Sequence, residues 1–206
     1  MNKRTPENWS STLQKVGVSS IAALVWSDIF SEFFQGEVFS AGDKELPDFL
    51  SQIIHETRRL KALEEDLNYS RKRMMEVWKS RFPTLASTIG FSYNPKALAE
   101  KVYGGRYGNK SVGDGWKYRG SGLIHLTFLD NYEFTGRKLK LPLLTNPELL
   151  RVPSMVNLKV AHAWWEGKVP DTVMGDTKKV RQAVNGGTIG LDDTSSLYSQ
   201  LKGLLL

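Results

Sequence analysis

Glu56 is a candidate general acid because of its place beside an apolar stripe. Leu46, Leu50 and Ile53 recur at helical spacing, and at about 100° per residue Glu56 falls at the margin of their stripe. A carboxyl group half inside an apolar wall tends to have a raised pKa, because desolvation disfavours its charged form. Such a group could donate a proton near neutral pH. An ordinary salt bridge at a helix end would use the same residue type.

Glu65 could act as a second carboxyl group only if the chain turns after Glu56. On one continuous helix the two side chains would be about 13.5 Å apart and on opposite faces. Hydrolysis of a glycosidic bond with inversion needs two carboxyl groups roughly 6.5 to 9.5 Å apart, one to protonate the leaving oxygen and one to activate water. Residues 57–63 mostly favour helix, so propensity alone does not predict the turn.

Composition excludes several other kinds of site. The 206 residues contain no Cys, which excludes thiol nucleophiles, thiolate metal sites and disulfide scaffolds. His55, His125 and His162 are the only histidines, and no second His follows His55 at the zinc-protease spacing. We therefore expect no metal and no cofactor.

Seven glycines lie between residues 103 and 122, among several aromatic side chains. The segment has neither the Lys-Ser/Thr ending of a phosphate loop nor the frame of a dinucleotide fingerprint. Gly with Tyr and Trp fits a cleft wall that stacks on flat apolar faces such as sugar rings. An irregular surface loop would have the same composition.

Helical periodicity predicts the elements that must position these residues. The stripe that begins at Leu46 predicts a helix ending near Thr57. A second helix is predicted at Met74–Trp78 and is stopped by Pro83, and a third is predicted over a stripe of Val156, Val160, Ala163 and Trp164. A fourth begins at an Asp176 cap and runs through Val184, with Gly186 at its end. The last begins after Asp192 and Asp193 and has one apolar face, formed by Leu197, Leu201, Leu204 and Leu205.

Strand signals are few, and Leu123, Ile124, Leu126 and Phe128 are the best candidates for a short strand. The predicted fold is therefore mainly α with at most a small β-sheet. The length and composition predict a single domain over residues 1–206.

The apolar run from Val16 to Trp26 is interpreted as a buried helix and not as an export signal. Ser19 and Ser20 interrupt it, Asp28 follows closely, and the run is too short to span a bilayer. We expect synthesis in a cytoplasm without a signal peptide, and no stable membrane insertion.

A series of short motifs occurs along residues 45–200. In chain order they are His55-Glu56-Thr57, Glu64–Ser70, Val102–Asn109, Gly113–Gly120, Leu126-Thr127, Asp130–Tyr132, Val184–Gly187 and Gly190–Asp193. Together they resemble the catalytic region of the chitinase-like glycoside hydrolases of family 19, and especially its phage endolysin branch. The resemblance implies a lysozyme-like helical domain split by a deep cleft, and it requires a turn between Glu56 and Glu65.

The resemblance also implies roles for individual residues. Glu56 matches the general acid, Glu65 matches the general base that activates water, and Thr127 matches the hydroxyl residue that helps hold that water. A hydroxyl suits this role because it can donate to Glu65 while accepting from the water. Asn131 and Asn185 match cleft residues that hydrogen-bond the sugar, and Tyr69, Tyr103 and His125 are further predicted substrate-binding residues.

Five positions depart from the family pattern. Arg58-Arg59 replace a common Gly-Gly and predict a bulkier, cationic rim; His125 stands for Gln, Ser121 for Arg and Phe128 for Gly. His125 could give an unusual pH dependence, and packing or a sugar contact would explain it equally well. We expect His55 to be structural and His162 to be plain packing.

The predicted function is an endolysin that hydrolyses the β-1,4 bonds between N-acetylmuramic acid and N-acetylglucosamine in peptidoglycan by inversion. The alternatives are a chitinase, a lytic transglycosylase or an inactive wall-binding module. The 28 Lys and Arg exceed the 22 Asp and Glu, so the net charge of +6 could attract an anionic glycan, although dispersed basic clusters are usually solvated faces. No nucleic-acid motif is present.

The resemblance also implies where the protein is made and where it acts. We expect a monomer that is made in the host bacterial cytoplasm and acts on the cell wall after release through a holin-type membrane lesion. A bacterial toxin delivered by a secretion machine would have the same sequence features.

Overall fold

The computed structural model describes residues 4–36 and 39–206. These ranges hold ten α-helices: α1 (Pro6–Lys15), α2 (Ser20–Gly36), α3 (Glu45–Glu56), α4 (Arg71–Val77), α5 (Pro95–Tyr103), α6 (Asp114–Lys117), α7 (Leu129–Leu139), α8 (Met155–Lys168), α9 (Thr177–Asn185) and α10 (Leu191–Leu205). Three 3₁₀ helices, at Ala86–Thr88, Pro147–Leu150 and Asp171–Val173, complete the helical elements. The prediction of a mainly helical fold is confirmed.

The chain divides into two compact units. The first unit comprises residues up to 63, 122–124 and 152–206, and therefore holds α1–α3 and α8–α10. The second unit comprises residues 64–121 and 125–151, with α4–α7. A single catalytic domain over residues 1–206 stays a prediction.

Helix α3 runs through the core of the first unit. Phe49, Leu50, Ile53 and Ile54 on it are at most 1% exposed, because hydrophobic residues at these spacings fill one broad face. Helices α9 and α10 both pack against it. The predicted end of this helix near Thr57 is confirmed.

Aromatic side chains fill the rest of this core. The ring of Trp9 meets that of Phe30 edge-on, with centroids 5.4 Å apart, a geometry that the ring quadrupoles favour. His162 lies edge-on to Phe33 and to Phe39, at 5.7 and 5.0 Å between centroids. The expectation that His162 packs in the core is confirmed.

The second unit has its own hydrophobic core. Leu67, Met74, Phe82, Leu98 and Val102 are at most 3% exposed and form one cluster, which joins α4 and α5 to the chain between them. The polypeptide that carries the glycine-rich segment is therefore anchored at the end of α5.

The predicted strand at residues 123–128 is wrong. Within the described residues, this segment contributes only one isolated bridge, between Ser121 and Leu126. Gly122, His125 and Phe128 have positive φ angles of 82°, 49° and 75°. An extended strand requires negative φ throughout, so the segment folds into a tight loop instead.

The predicted helix at Val16–Trp26 begins later than expected. Val16 and Val18 are buried in the turn before α2, whereas Ile21 and Leu24 on the helix are 80% and 64% exposed. The opposite face of α2, which includes Trp26, packs inward. Across the residues that the structure describes, no helix combines the length and the apolar character needed to cross a membrane.

Helix α8 buries a face next to the predicted one. Leu158, Ala161 and Trp165 are buried, while Ala163 and Trp164 are only partly covered.

Helix α4 ends at Val77, so Pro83 is not what stops it. The predicted α9, with its Asp176 cap and a left-handed Gly186 at its end, is confirmed, and the last helix is also confirmed but begins at Leu191, just before the predicted start.

Asp48 is a buried acid in the first turn of α3. It is 1% exposed; its Oδ2 accepts from Gly175 N–H at 2.9 Å, whereas its Oδ1 has no hydrogen-bond partner among the described residues. Burial raises the pKa of Asp48 from 3.8 to about 6, the Gly175 bond opposes this, and nearby Glu45 adds to it. A raised folded-state pKa stabilises the fold below pH 4, and this contribution is lost as the pH rises through 6.

We expect Asp48→Asn to raise the free energy of unfolding at pH 8 by about 1 to 3 kcal/mol, and to change it little at pH 4. The reason is that the amide needs no proton to stay neutral when buried. Chemical denaturation at both pH values measures the effect. The exposed Asp28→Asn serves as a control and should leave the pH dependence unchanged, and an equal effect of Asp48→Asn at both pH values would contradict the linkage.

Candidate active site

Three consecutive residues after Glu56 adopt the left-handed conformation. Arg58, Arg59 and Leu60 have φ angles of 49°, 63° and 62°. This conformation costs roughly 1–2 kcal/mol for each residue that is not Gly. The turn ends α3 at Glu56, so the break that the resemblance required, and that propensity did not predict, is confirmed.

Thr57 holds this turn together. Its buried hydroxyl donates to the carbonyl of Ile53 at 2.5 Å and accepts from the N–H of Leu60 at 3.0 Å. Its carbonyl accepts from the N–H groups of Lys61 and Ala62, both at 2.9 Å. The chain then leaves the first unit at residue 63 and enters the second at residue 64.

The side chain of Arg59 fixes the turn to the start of α10. Its guanidinium donates to both oxygens of Asp193, at 2.9 and 2.5 Å, and His55 Nδ1 lies 2.6 Å from the same carboxylate. The bond from Arg59 is the largest cause that lowers the pKa of Asp193, although partial burial opposes it. This cluster of Arg59, His55 and Asp193 supports the expectation that His55 is structural.

Glu56 is held by a buried arginine. Arg181 Nη1 donates to Glu56 Oε1 at 2.6 Å and to Gln52 Oε1 at 3.0 Å, and its Nε donates to the carbonyl of Ile189 at 2.7 Å. Arg181 is 3% exposed, whereas the Glu56 side chain is 29% exposed. The guanidinium of Arg181 thus orients the carboxyl group of Glu56.

Sequence reasoning missed this role of Arg181. It stands in the basic run 178–181, which reads as a solvated or anion-attracting face. The helical phase of α9 gave a usable signal, because Arg181 stands three residues before Val184 and therefore shares a face of the helix with it.

A cavity of about 130 Å³ lies beside Glu56 in the first unit. Its wall combines apolar side chains with the polar groups of Gln52, Glu56 and Asn185; the lining residues are Phe49, Gln52, Ile53, Glu56, Leu123, Ile124, Ala161, Trp164, Trp165, Val184 and Asn185. Glu56 and Asn185, both predicted from the sequence, therefore border one cavity. Asn185 also braces its own turn, donating to Ile189 O and accepting from Gly187 N–H.

Glu65 is held in the second unit by two donors. Tyr103 Oη donates to Glu65 Oε2 at 2.5 Å, and the N–H of Gly120 donates to Glu65 Oε1 at 2.6 Å. Burial is the first cause that raises the pKa of Tyr103, and Glu65 adds to it through its charge and this hydrogen bond, so the phenol remains the donor. The predicted substrate residue Tyr103 thus contacts the predicted base.

Gly120 lies close to two side chains. A Cβ there would lie 3.2 Å from the Glu65 carboxyl carbon and 3.3 Å from His125 Cβ, tighter than ordinary contacts. The backbone therefore approaches the carboxylate closely enough to donate to it.

Arginine also supports the chain beside Gly120. Arg119 is 6% exposed, pairs with Glu64 and stacks on Trp116, with its guanidinium carbon 3.6 Å from the ring centroid. Tyr132 Oη donates to the carbonyl of Arg119 at 3.1 Å. These contacts fix the peptide that binds Glu65.

Thr127 and Asn131 lie on the loop and helix that follow. Thr127 Oγ1 donates to the carbonyl of His125 at 2.8 Å and not to Glu65, so its proton is already placed and its lone pairs can accept. Asn131 is exposed and donates to the carbonyl of Thr127 at 2.8 Å. The predicted donation from Thr127 to Glu65 is therefore replaced by one to the backbone.

Of the remaining predicted site residues, Tyr69 lies in the second unit, where its ring packs on Trp78 with centroids 4.9 Å apart. His125, at φ 49°, is half-buried beside Gly120. No group of three or more His, Cys, Asp or Glu suited to a metal ion occurs in the described ranges.

Gly190 leaves room for the His55 ring beside Asp193. It has a φ of 81°, and a Cβ on it would overlap the ring of His55, which Asp193 holds in place. We expect Gly190→Ala to lower the free energy of unfolding by about 2 to 5 kcal/mol, the sum of left-handed strain and overpacking. The matched control is Gly90→Ala, at φ 86° with open space around it, which should cost only about 1 to 2 kcal/mol. Equal losses in urea denaturation would refute a steric role for His55.

The chain is similar to proteins of one hydrolase family. The glycosyl hydrolase family 19 domain-containing protein of Haemophilus influenzae is 33% identical over 160 residues, which cover 74% of this chain and 76% of that protein. Chitinase C from Streptomyces griseus HUT6037 matches with a TM-score of 0.63 and 16% identity, covering all of this chain and 95% of that one.

The family 19 class IV chitinase from Zea mays matches with a TM-score of 0.55 and 15% identity, over 96% of this chain and 90% of that one. These two similarities concern the fold. No family model matches the sequence. The identity to the Haemophilus protein over three quarters of both chains shows that this chain belongs to glycoside hydrolase family 19.

Proposed function

We propose that this glycoside hydrolase is a peptidoglycan-degrading endolysin. It cleaves the β-1,4 bond between N-acetylmuramic acid and N-acetylglucosamine with inversion. The observation that carries the proposal is the setting of Glu65. Both its oxygens accept hydrogen bonds from protein donors, which fixes its orientation and suits a carboxylate that takes a proton from water.

In this mechanism Glu56 protonates the bridging oxygen as the glycosidic bond breaks. Its half-exposed carboxyl group is oriented by Arg181 at the edge of an apolar cavity. A water molecule attacks the anomeric carbon from the opposite face and gives a proton to Glu65. Thr127 orients that water by accepting its other hydrogen, since its own proton goes to the carbonyl of His125.

Positive charge supports an anionic glycan as substrate. The net charge is +6, and the exposed Arg58 stands in the left-handed turn directly after the proposed acid. Peptidoglycan carries carboxylates on its stem peptides, whereas chitin is neutral. A basic surface raises the local concentration of an acidic polymer.

A chitinase is the second candidate function. Two of the solved structures with this fold, from Streptomyces griseus and Zea mays, are chitinases. Polymers of N-acetylglucosamine share the β-1,4 linkage and the N-acetyl group with peptidoglycan, so the same pair of carboxyl groups would serve.

The proposed setting is lysis of a bacterial host. The protein would be made in the host cytoplasm, act as a monomer without a cofactor, and reach the wall through a holin-type lesion. It would bind neither nucleic acid nor membrane stably.

We expect Glu56→Gln and Glu65→Gln each to lower the rate of clearing of purified sacculi by at least about 1,000-fold, because each removes a proton transfer while keeping the shape. Thr127→Ala should retain a rate about 10- to 100-fold below wild type, since it loses only the positioning of water. The surface variant Glu76→Gln, which removes a carboxylate paired with Arg73, is the matched control and should clear normally.

Mass analysis of the fragments completes this experiment. Reducing ends without anhydro-sugars are the expected products. Anhydro ends would indicate a transglycosylase, turnover of chitin oligomers alone would indicate a chitinase, and binding without clearing would indicate a wall-binding module. Full activity of Glu65→Gln would remove the inverting assignment.

We expect Tyr103→Phe to lower kcat about 10-fold with little change in KM, because Glu65 loses one of the two donors that orient it. The control is Tyr93→Phe at a 66% exposed position, which loses the same hydroxyl group elsewhere in the second unit. A fall in kcat for both variants, or for neither, would count against the proposed role of this hydrogen bond.

A further inference from the structure

One cation and two aromatic rings form a cluster beside the hydrogen bond that holds Glu65. The ring of Phe128 lies 5.4 Å from that of Tyr103 and 4.8 Å from that of Tyr107, between centroids. The guanidinium carbon of Arg106 is 5.3 Å from the Tyr107 ring and 5.4 Å from the Phe128 ring. We call Arg106, Tyr107 and Phe128 the aromatic–cation cluster.

The cluster faces solvent, unlike the Arg119–Trp116 pair of the second unit. Arg119, stacked on Trp116, is 6% exposed and pairs with Glu64, so that pair serves the fold. Arg106 is exposed, and Tyr107 is 61% exposed. One N–H of Arg106 donates to the carbonyl of Val102 at 3.3 Å, and a guanidinium has five such donors.

The backbone is strained at both aromatic positions. Tyr107 has a φ of 41° and Phe128 a φ of 75°, in the region where glycine is favoured. Side chains in such conformations persist only where the surroundings enforce them, and they concentrate at ligand-binding and active sites. Here the two strained positions place the rings of Tyr107 and Phe128 together, next to the Tyr103 that contacts the proposed base.

The chemistry of this cluster fits a sugar that carries an acidic substituent. Aromatic rings stack on the apolar faces of sugars, and a guanidinium pairs with carboxylates through parallel N–H bonds. In peptidoglycan, muramic acid is the sugar whose lactyl group carries the stem peptide through an amide bond, and that peptide bears carboxylates, whereas chitin has no such group.

We propose that the aromatic–cation cluster is a subsite for the muramic acid unit, in which Arg106 binds a carboxylate of its stem peptide and Tyr107 contacts its sugar ring. This inference rests on the proposed function, since it names the part of the second unit that selects peptidoglycan over chitin. Phe128 fixes Tyr107 in place and, through Tyr103, lies close to Glu65.

The test measures binding to the Glu56→Gln protein, which does not turn the ligands over. Two soluble ligands are titrated by calorimetry: uncross-linked glycan strands that keep their stem peptides with the peptide carboxylates, and the neutral hexamer of N-acetylglucosamine. Arg106→Gln should weaken binding of the acidic strands about five- to tenfold and reduce its salt dependence, and should change hexamer binding less than twofold. Arg73→Gln, with the same charge change on α4, should alter neither.

A second variant tests the rings. Tyr107→Leu should weaken both ligands to a similar extent, because stacking does not require charge. Because Tyr107 is exposed, this substitution should leave the fold intact, and circular dichroism checks this directly.

The possible outcomes separate the two proposals. Equal weakening of both ligands by Arg106→Gln, or no weakening of either, would overturn the subsite while leaving peptidoglycan as the substrate. Tight binding of the hexamer together with no binding of the acidic strands, before any change at Arg106, would overturn the proposed substrate and the subsite with it.

Discussion

The left-handed turn after Glu56 is the constraint on which the arrangement of the proposed acid and base depends. A helix that continued through residues 57–63 would carry Glu65 onto the wrong face of the same element. Three non-glycine residues at positive φ are individually unfavourable, and the buried Thr57 makes them possible by closing the turn with its hydroxyl and its carbonyl. Arg59 then uses its strained position to bind Asp193.

Buried arginines are the second theme of the structure. Arg181 orients Glu56, and Arg119 supports the peptide that donates to Glu65, so each proposed catalytic carboxyl group depends on a guanidinium. Arg suits this work because its planar fork donates in several fixed directions at once and stays charged when buried. Part of the positive balance of the sequence is therefore structural, and the exposed basic residues remain to attract an acidic polymer.

Side chains that replace glycine are the third theme. Arg58, Arg59 and Phe128 stand where the resemblance expects Gly, and all three have a positive φ, in the region that favours glycine. These positions therefore add charge and aromatic area to the protein where the backbone is left-handed.

The sequence by itself determined the helical class, the end of α3, the whole of α9 and the family. Helical periodicity and caps are local, and the motifs with Glu56, Glu65 and Thr127 stand in a fixed order that needs no coordinates. Only the tertiary structure decided that residues 123–128 form a loop, that Tyr103 contacts Glu65, and that Arg181 holds Glu56. The reason is physical: a positive φ in a non-glycine residue, and a hydrogen bond between residues 38 or 125 positions apart, are fixed by packing that no local pattern encodes.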